Sequence, residues 1–201
     1  MNSTSRSSSD HYTRKAKQQG FPARSVWKLI EIDQRYRLLR RGIDVLDLGS
    51  APGSWALYAH RQVGSRGSVT AVDTVPKPSS LNSLGGHFTY LQSDLTSRHF
   101  RSQLSGQNFD LILSDAAPST CGNHTVDAAR SAELVDAVLS IASKHLRRQA
   151  NLVVKILQGD ELYDLLSLAR NYFSKVQTFK PKASRGKSSE TFLLAFGYGK
   201  S

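Results

Sequence analysis

IDVLDLGSAPGSW (43–55) joins a short apolar run, IDVLDL, directly to Gly49. A run of that length opening into glycine is the pattern of a buried strand feeding a tight turn. Trp55, Ala56, Tyr58 and Ala59 then begin a helix. Working outward, SVTAVD (68–73), FTYL (88–91), FDLILSD (109–115), LVVKIL (152–157), KVQTF (175–179) and TFLLAF (191–196) read as further strands. Helical spacing starts at Ser25 with Val26, Leu29 and Ile30 and continues until Gly42. It returns over 126–148, where Leu134, Val135, Val138, Leu139, Ile141, Ala142 and Leu146 share one side, and over 161–173. Strands alternating with helices predict an α/β, Rossmann-like architecture: a seven-stranded, mostly parallel sheet with helices on both faces. The last two strands are joined by a loop too short for a crossover helix, which predicts an antiparallel edge pair.

The chain has 201 residues, 39 % of them hydrophobic, enough for one sizeable core and one domain over 11–201. MNSTSRSSS has nothing to pack, so residues 1–10 are expected to be a disordered tail. A mean hydropathy of −0.38, with no 18-residue apolar run, excludes a membrane span. A single cysteine excludes an internal disulfide and a four-thiolate metal site, and no apolar stretch follows the N-terminus. A cytoplasmic monomer is expected. The six histidines are scattered without ligand spacing, so no metal is expected, and Cys121 reads as a plain loop cysteine.

The net charge of +11 is concentrated. Residues 1–41 carry ten Lys/Arg against three acids, and residues 175–187 carry five and no acid. Charge runs are often solvated faces. Concentrated charge also suits a polyanion, because neutralising phosphates releases counterions. Nucleic acid is the leading partner and an anionic membrane surface the weaker one.

Ligands in an open α/β sheet bind beyond the carboxyl ends of the strands. DLGSAPGSW (47–55) lies there, with Gly49, Ser50, Pro52, Gly53 and Trp55 in a turn that passes close to a ligand. Ala51 stands where a dinucleotide fingerprint needs its second glycine, which disfavours a nicotinamide oxidoreductase. Asp73, closing the second strand, is placed for ribose hydroxyls, and Asp94, with Leu95 after the third strand, for an adenine amino group. Glycine turn and successive acids together point to S-adenosylmethionine. Lys155 inside LVVKIL is unusual, since lysine is rarely buried unpaired. Its bland reading is a side chain snorkelling out at a strand end. Asp115 and Glu190 also fall at strand ends, so a polar network in one cleft is the alternative.

RKAKQQGFPARSVWKLIEID (14–33), VLDLGSAPGSW (45–55), SDAAPSTCG (114–122), VVKILQG (153–159) and PKASRGKSSETFLLAFGY (181–198) resemble the FtsJ-type ribosomal-RNA ribose 2′-O-methyltransferases in order and spacing. The resemblance implies the S-adenosylmethionine-dependent methyltransferase fold. It also implies a catalytic tetrad of Lys28, Asp115, Lys155 and Glu190, and cofactor contacts at Gly53, Trp55, Asp73, Asp94 and Asp115. Lys155 is then the candidate base for a ribose 2′-hydroxyl, oriented by Asp115, while Glu190 holds Lys28 and the ribose. SDAAPST and TVPKPSS (74–80) depart mildly from the family pattern near the cofactor.

If the tetrad assembles, the two basic segments converge on one face. Lys15, Lys17, Arg24, Lys180, Lys182, Arg185 and Lys187 would then contact RNA phosphates, with Tyr12 and Phe21 as candidate base-stacking aromatics. An amino-group methyltransferase is disfavoured because Ser114-Asp115-Ala116-Ala117-Pro118 replaces its Asp/Asn-Pro-Pro-aromatic turn. A non-catalytic RNA-binding module would need only the basic ends. The resemblance favours a uridine of large-subunit rRNA in an assembled particle, with transfer RNA as runner-up.

Overall fold

Strand β1 (Asp44–Leu48) sends Leu46 and Leu48 into one buried layer and Val45 into the other, as the two-residue repeat of a strand requires. One short run therefore serves two cores. The computed structural model describes residues 3–119, 121–184 and 188–200. In chain order the elements are α1 (Ser3–Gln18), α2 (Val26–Tyr36), β1, α3 (Ser54–Val63), β2 (Ser68–Asp73), β3 (Phe88–Gln92), α4 (Arg98–Gln103), β4 (Phe109–Ser114), α5 (His124–His145), β5 (Leu146–Leu157), α6 (Leu162–Arg170), β6 (Phe173–Phe179) and β7 (Glu190–Tyr198).

The sheet has seven strands in the order β3-β2-β1-β4-β5-β7-β6. β1 to β5 pair in parallel, and β7 is antiparallel to both its neighbours. The expected antiparallel pair is therefore at the edge, with β7 inserted between β5 and β6. One core holds Phe100, Val138, Leu165 and Phe173 with Leu46 and Leu48; the other holds Ala16, Leu29, Ile32, Trp55 and Phe192 with Val45. The chain reverses direction across the sheet between β1 and β4, so their carboxyl ends form a crevice.

Four departures from the sequence expectations have local causes. Helix α1 reaches back to Ser3, where a disordered tail is expected over 1–10. Its C-terminal half is anchored: Ala16 is fully buried, and Trp27 Nε1 donates to the Tyr12 carbonyl at 3.0 Å. Helix α4 spans only six residues, too few to show a period; Ser97 caps it by accepting from Phe100 N–H, and Phe100 is fully buried. Helix α2 stops at Tyr36 and not at Gly42, because Arg37 turns left-handed and Asp33 accepts the Leu39 N–H at 2.8 Å. Leu38 and Leu39 still fill the core, which prolongs the apolar pattern past the helix. Finally, β5 begins at Leu146, so residues 146–148 are strand and not helix. Pairing jumps from Phe109↔Leu146 to Leu111↔Asn151, leaving a bulge with Gln149 at φ 65°.

Candidate active site

Four elements bring the tetrad together. Lys28 stands on α2, Asp115 directly after β4, Lys155 on β5, and Glu190 opens β7. Lys28 Nζ is 2.7 Å from Glu190 Oε2 and 3.8 Å from Asp115 Oδ1, and Lys155 Nζ is 3.1 Å from the same Asp115 oxygen. Lys155 also donates to the Asp115 backbone carbonyl at 2.5 Å. The result is a line of alternating charge, Glu190–Lys28–Asp115–Lys155, two cations against two anions in a largely desolvated place. Such a group persists only when each charge is compensated. Burial pushes the Glu190 carboxyl up, but the Lys28 charge and hydrogen bond, with Ser184 and Lys155, hold it below its ordinary value.

Two cavities meet at this line. The larger, about 620 Å³, opens at the carboxyl ends of β1 to β4 and is lined by Gly49, Asp73, Asp94, Leu95 and Asp115 among others. The smaller, about 260 Å³, is lined by Arg24, Ser25, Lys28, Ser188 and Glu190. Asp115 belongs to the first and pairs with Lys28 of the second, so this ion pair joins them, with Lys155 behind Asp115.

The larger cavity fits a nucleoside cofactor in size and in donor set. Its floor requires glycine: Gly49 has φ 73°, and a Cβ there would lie 2.4 Å from Ala116 Cα. Asp73 Oδ2 accepts the Ala51 N–H at 2.8 Å, so this acid also holds the loop. Asp94 Oδ1 accepts from the Thr96 N–H and hydroxyl, both at 2.8 Å, which fixes the carboxylate beside the cavity. Ser50, Pro52, Gly53 and Trp55 do not line the cavity. Ser50 is buried, and the Pro52 carbonyl accepts from Ser80. Gly53, at φ 102°, packs against Leu81 where a Cβ would come within 2.7 Å. Trp55 stacks on Phe192 at 5.7 Å and donates to the Ser25 carbonyl at 2.9 Å, so it ties α3 to α2. These four shape the loop from behind.

Sequence reasoning missed Asp47. It is fully buried, neither carboxylate oxygen has a hydrogen-bond partner among the described residues, and Ser50 Oγ beside it is equally unpaired. Burial raises its pKa to about 7; the nearby Ser50 hydroxyl lowers it in part, while the charges of Asp115 and Asp73 raise it further. Apolar strand periodicity conceals such a residue, because its place in the pattern is that of a core position.

The basic residues divide. Arg24 donates to the Ala183 carbonyl at 2.9 Å, and Glu31, one turn beyond Lys28, accepts from the Lys182 N–H at 2.8 Å and the Ala183 N–H at 3.4 Å. Ser184 donates to Glu190 Oε1 at 2.9 Å, and Lys180 Nζ donates to the Ser188 carbonyl at 2.8 Å. The loop carrying Lys180 and Lys182 is thus latched to α2 beside the tetrad. Lys15 lies 4.5 Å over the Trp27 ring, and Lys17 is exposed on α1. Arg185 and Lys187 lie outside the described residues. Phe21, a candidate for base stacking whose commoner role is packing, is core: it is buried against Tyr58, with Arg61 4.5 Å over its ring. Tyr12 packs beside Trp27 at 6.4 Å.

The sequence is 43 % identical over 192 residues to ribosomal RNA large subunit methyltransferase E of Nitratidesulfovibrio vulgaris strain DP4, covering 94 % of this chain and 93 % of that one. It is 42 % identical over 187 residues to the protein of the same name from Azoarcus sp. strain BH72, covering 92 % and 90 %. A ribosomal RNA methyltransferase structure from Plasmodium falciparum superposes with a TM-score of 0.76 at 24 % identity, over 90 % of this chain and 100 % of that one. Fibrillarin from Aeropyrum pernix, with natively bound S-adenosyl-L-methionine, shares the fold at a TM-score of 0.61 and 15 % identity, over 79 % and 68 %. The FtsJ-like methyltransferase model matches residues 21–198, which span both cavities and all four tetrad positions, and the chain belongs to that family.

Proposed function

We propose that this protein transfers a methyl group from S-adenosylmethionine to a ribose 2′-hydroxyl, that of a uridine in large-subunit ribosomal RNA within the assembled subunit. The observation that carries the reading is that Lys28 and Glu190 line a smaller basic cavity and pair, through Asp115, with a nucleoside-sized one. Gly49, Asp73, Asp94, Leu95 and Asp115 hold the donor, and Arg24, Ser25, Lys28 and Glu190 face the acceptor. When bound, S-adenosylmethionine supplies a methyl group already activated by its sulfonium charge. The chain's own work is alignment and removal of one proton.

Lys155, once its ammonium proton has passed to solvent, would take the proton of the 2′-hydroxyl as that oxygen accepts the methyl group. Asp115 holds that amine through its carboxylate and its carbonyl, so the nitrogen has little freedom to turn away. Lys28, fixed by Glu190 at 2.7 Å, orients the ribose from the other cavity. Lys15, Lys17, Arg24, Lys180, Lys182, Arg185 and Lys187 are proposed RNA-phosphate contacts. The relatives' printed names support ribosomal RNA as the substrate. The ribosomal RNA named for the relatives supports the cytoplasm as the place of action; among the described residues no helix is long and apolar enough to cross a membrane.

The test is transfer of labelled methyl groups to large ribosomal subunits, to their deproteinised RNA and to bulk transfer RNA, all from cells lacking this protein. Label on the subunit at an alkali-resistant ribose position is expected. Label on transfer RNA alone would retain the chemistry and reject the substrate, and binding without any transfer would leave a non-catalytic RNA-binding module.

A further inference from the structure

The tetrad occupies one pole of the sheet, at the carboxyl ends of the parallel strands. At the other pole lie the starts of β1, β2, β4, β5 and β6 and the end of β7. Basic residues collect there too. Arg40 and Arg41 precede β1, and Arg66 precedes β2. Arg148 lies in the β5 bulge, Arg170 ends α6 ahead of β6, and Lys200 follows β7. All six are exposed, and none forms an ion pair among the described residues.

The acids on these strand ends are already taken. Arg147 reaches Asp44 at 2.8 Å and Asp110 at 2.6 Å, so the two acids share one cation and leave a single net negative charge against the six bases of the pole. The bulge that places Arg147 also turns Arg148 outward. It holds Gln149 at φ 65°, a conformation that disfavours residues other than glycine or asparagine. Arg148 packs by Gly199, where a Cβ would lie 3.5 Å from its Cγ, and the Gly199 N–H donates to the Tyr172 carbonyl at 3.0 Å. Arg41, Arg66 and Arg148 therefore stand on backbone tied to the sheet and not on a free tail.

Local reasons do not account for the whole cluster. Arg170 complements the carboxyl end of its helix. Arg41 lies by Gly64, the C-cap of α3, and Arg66 ends the 3-10 turn that follows it, so both can complement that carboxyl end, but Arg40, Arg148 and Lys200 lie in connections or a bulge with no helix end to serve. From β2 to β6 the row crosses five strand intervals, roughly 24 Å. That length matches a stretch of sugar–phosphate backbone, whose evenly spaced charges suit a row of fixed bases.

We propose that this pole is a second docking surface for the phosphate backbone of a large RNA, engaged while the tetrad at the opposite pole holds the acceptor ribose. The proposal rests on the reading of RNA as substrate and deepens it. Two basic poles on opposite ends of one sheet suit a substrate that surrounds the protein, as a folded ribosomal particle does, and not one short hairpin.

The test compares wild type with the variant R41Q/R66Q/R148Q/K200Q, none of them a tetrad or cavity residue, with matched circular dichroism and melting to establish that the variant folds. On large subunits the variant's KM is expected to rise at least tenfold with kcat unchanged. The slope of log KM against log salt is expected to shrink by about 3, since each lost phosphate contact removes roughly 0.7–0.9. On a short hairpin bearing the acceptor nucleotide both constants should match wild type. Unchanged KM and slope on subunits would overturn the second surface. If wild type transfers no methyl to RNA, the functional reading fails; direct binding of both proteins to ribosomal RNA across a salt series still decides the surface, equal affinities and slopes overturning it. Loss of binding to vesicles of anionic phospholipid, with RNA binding intact, would overturn the assignment to RNA.

Discussion

Lys155 meets Asp115 at two atoms: its Nζ lies 3.1 Å from Oδ1 and donates to the backbone carbonyl at 2.5 Å. Because the carbonyl belongs to the turn closing β4, the amine is fixed to the backbone as well as to a side chain. An amine so placed has one direction left in which to meet a hydroxyl proton. Lys155→Ala should lower methyl transfer by at least 10²-fold, the usual contribution of a positioned base, while equilibrium dialysis shows S-adenosylmethionine still bound. Lys155→Arg should fail as badly, since a guanidinium keeps the charge but does not give up its proton. Turnover within a few fold of wild type in either variant would remove Lys155 from the role of base.

Asp47 makes a different prediction, about stability against pH. Its folded pKa is raised to about 7 from an ordinary 3.8. Between those values the unfolded chain has released this proton and the folded chain has not. Stability associated with Asp47 is therefore full below about pH 4 and is lost as pH rises towards 7. The full difference is on the order of 4 kcal/mol. Asp47→Asn should remove that slope and melt higher than wild type at pH 8. Identical melting curves for the two proteins from pH 5 to pH 8 would show that Asp47 does not carry the effect.

Gly49 sets the distance between the first loop and the β4 turn. Gly49→Ala puts a Cβ 2.4 Å from Ala116 Cα at a left-handed φ, so backbone must move. A loss of about 2 kcal/mol or more in denaturant unfolding is expected, together with at least tenfold weaker S-adenosylmethionine binding by calorimetry. Full cofactor affinity in the variant would mean that the cavity floor is more pliant than these contacts imply.

Glu31 is the latch between α2 and the basic loop, and it touches neither cavity. Glu31→Ala leaves the Lys182 and Ala183 N–H groups without their acceptor. A rise of about tenfold in KM for RNA is expected, with kcat and cofactor affinity little changed. Glu31→Gln keeps one acceptor oxygen and should recover most of the loss. A fall in kcat with KM unchanged would place Glu31 in the chemistry and not in loop positioning.

How much of this was legible in the sequence follows from what each pattern records. The strand-turn-helix unit at 43–63 and the seven strands show because their apolar residues repeat locally. Helix α4 does not show, being shorter than two turns. The lysine inside LVVKIL stands out against its apolar neighbours, whereas Asp47 is hidden in the same kind of run. Glu31 looks like any exposed helix acid until the loop it holds is in place.

The sequence by itself determined the class of fold and the glycine turn at a strand end, and its matched blocks singled out the four residues that the structure brings together. Only the tertiary structure decided that β7 inserts between β5 and β6, carrying Glu190 to within 2.7 Å of a lysine 162 residues away. It also decided that Arg24 lies by the tetrad while Arg40 and Arg41, from the same basic segment, stand at the opposite pole. The physical reason is common to both. Periodicity reports which face of an element is buried, but partners across a sheet are chosen by pairing between distant strands, and a charge's neighbours depend on which end of a strand its connection leaves from.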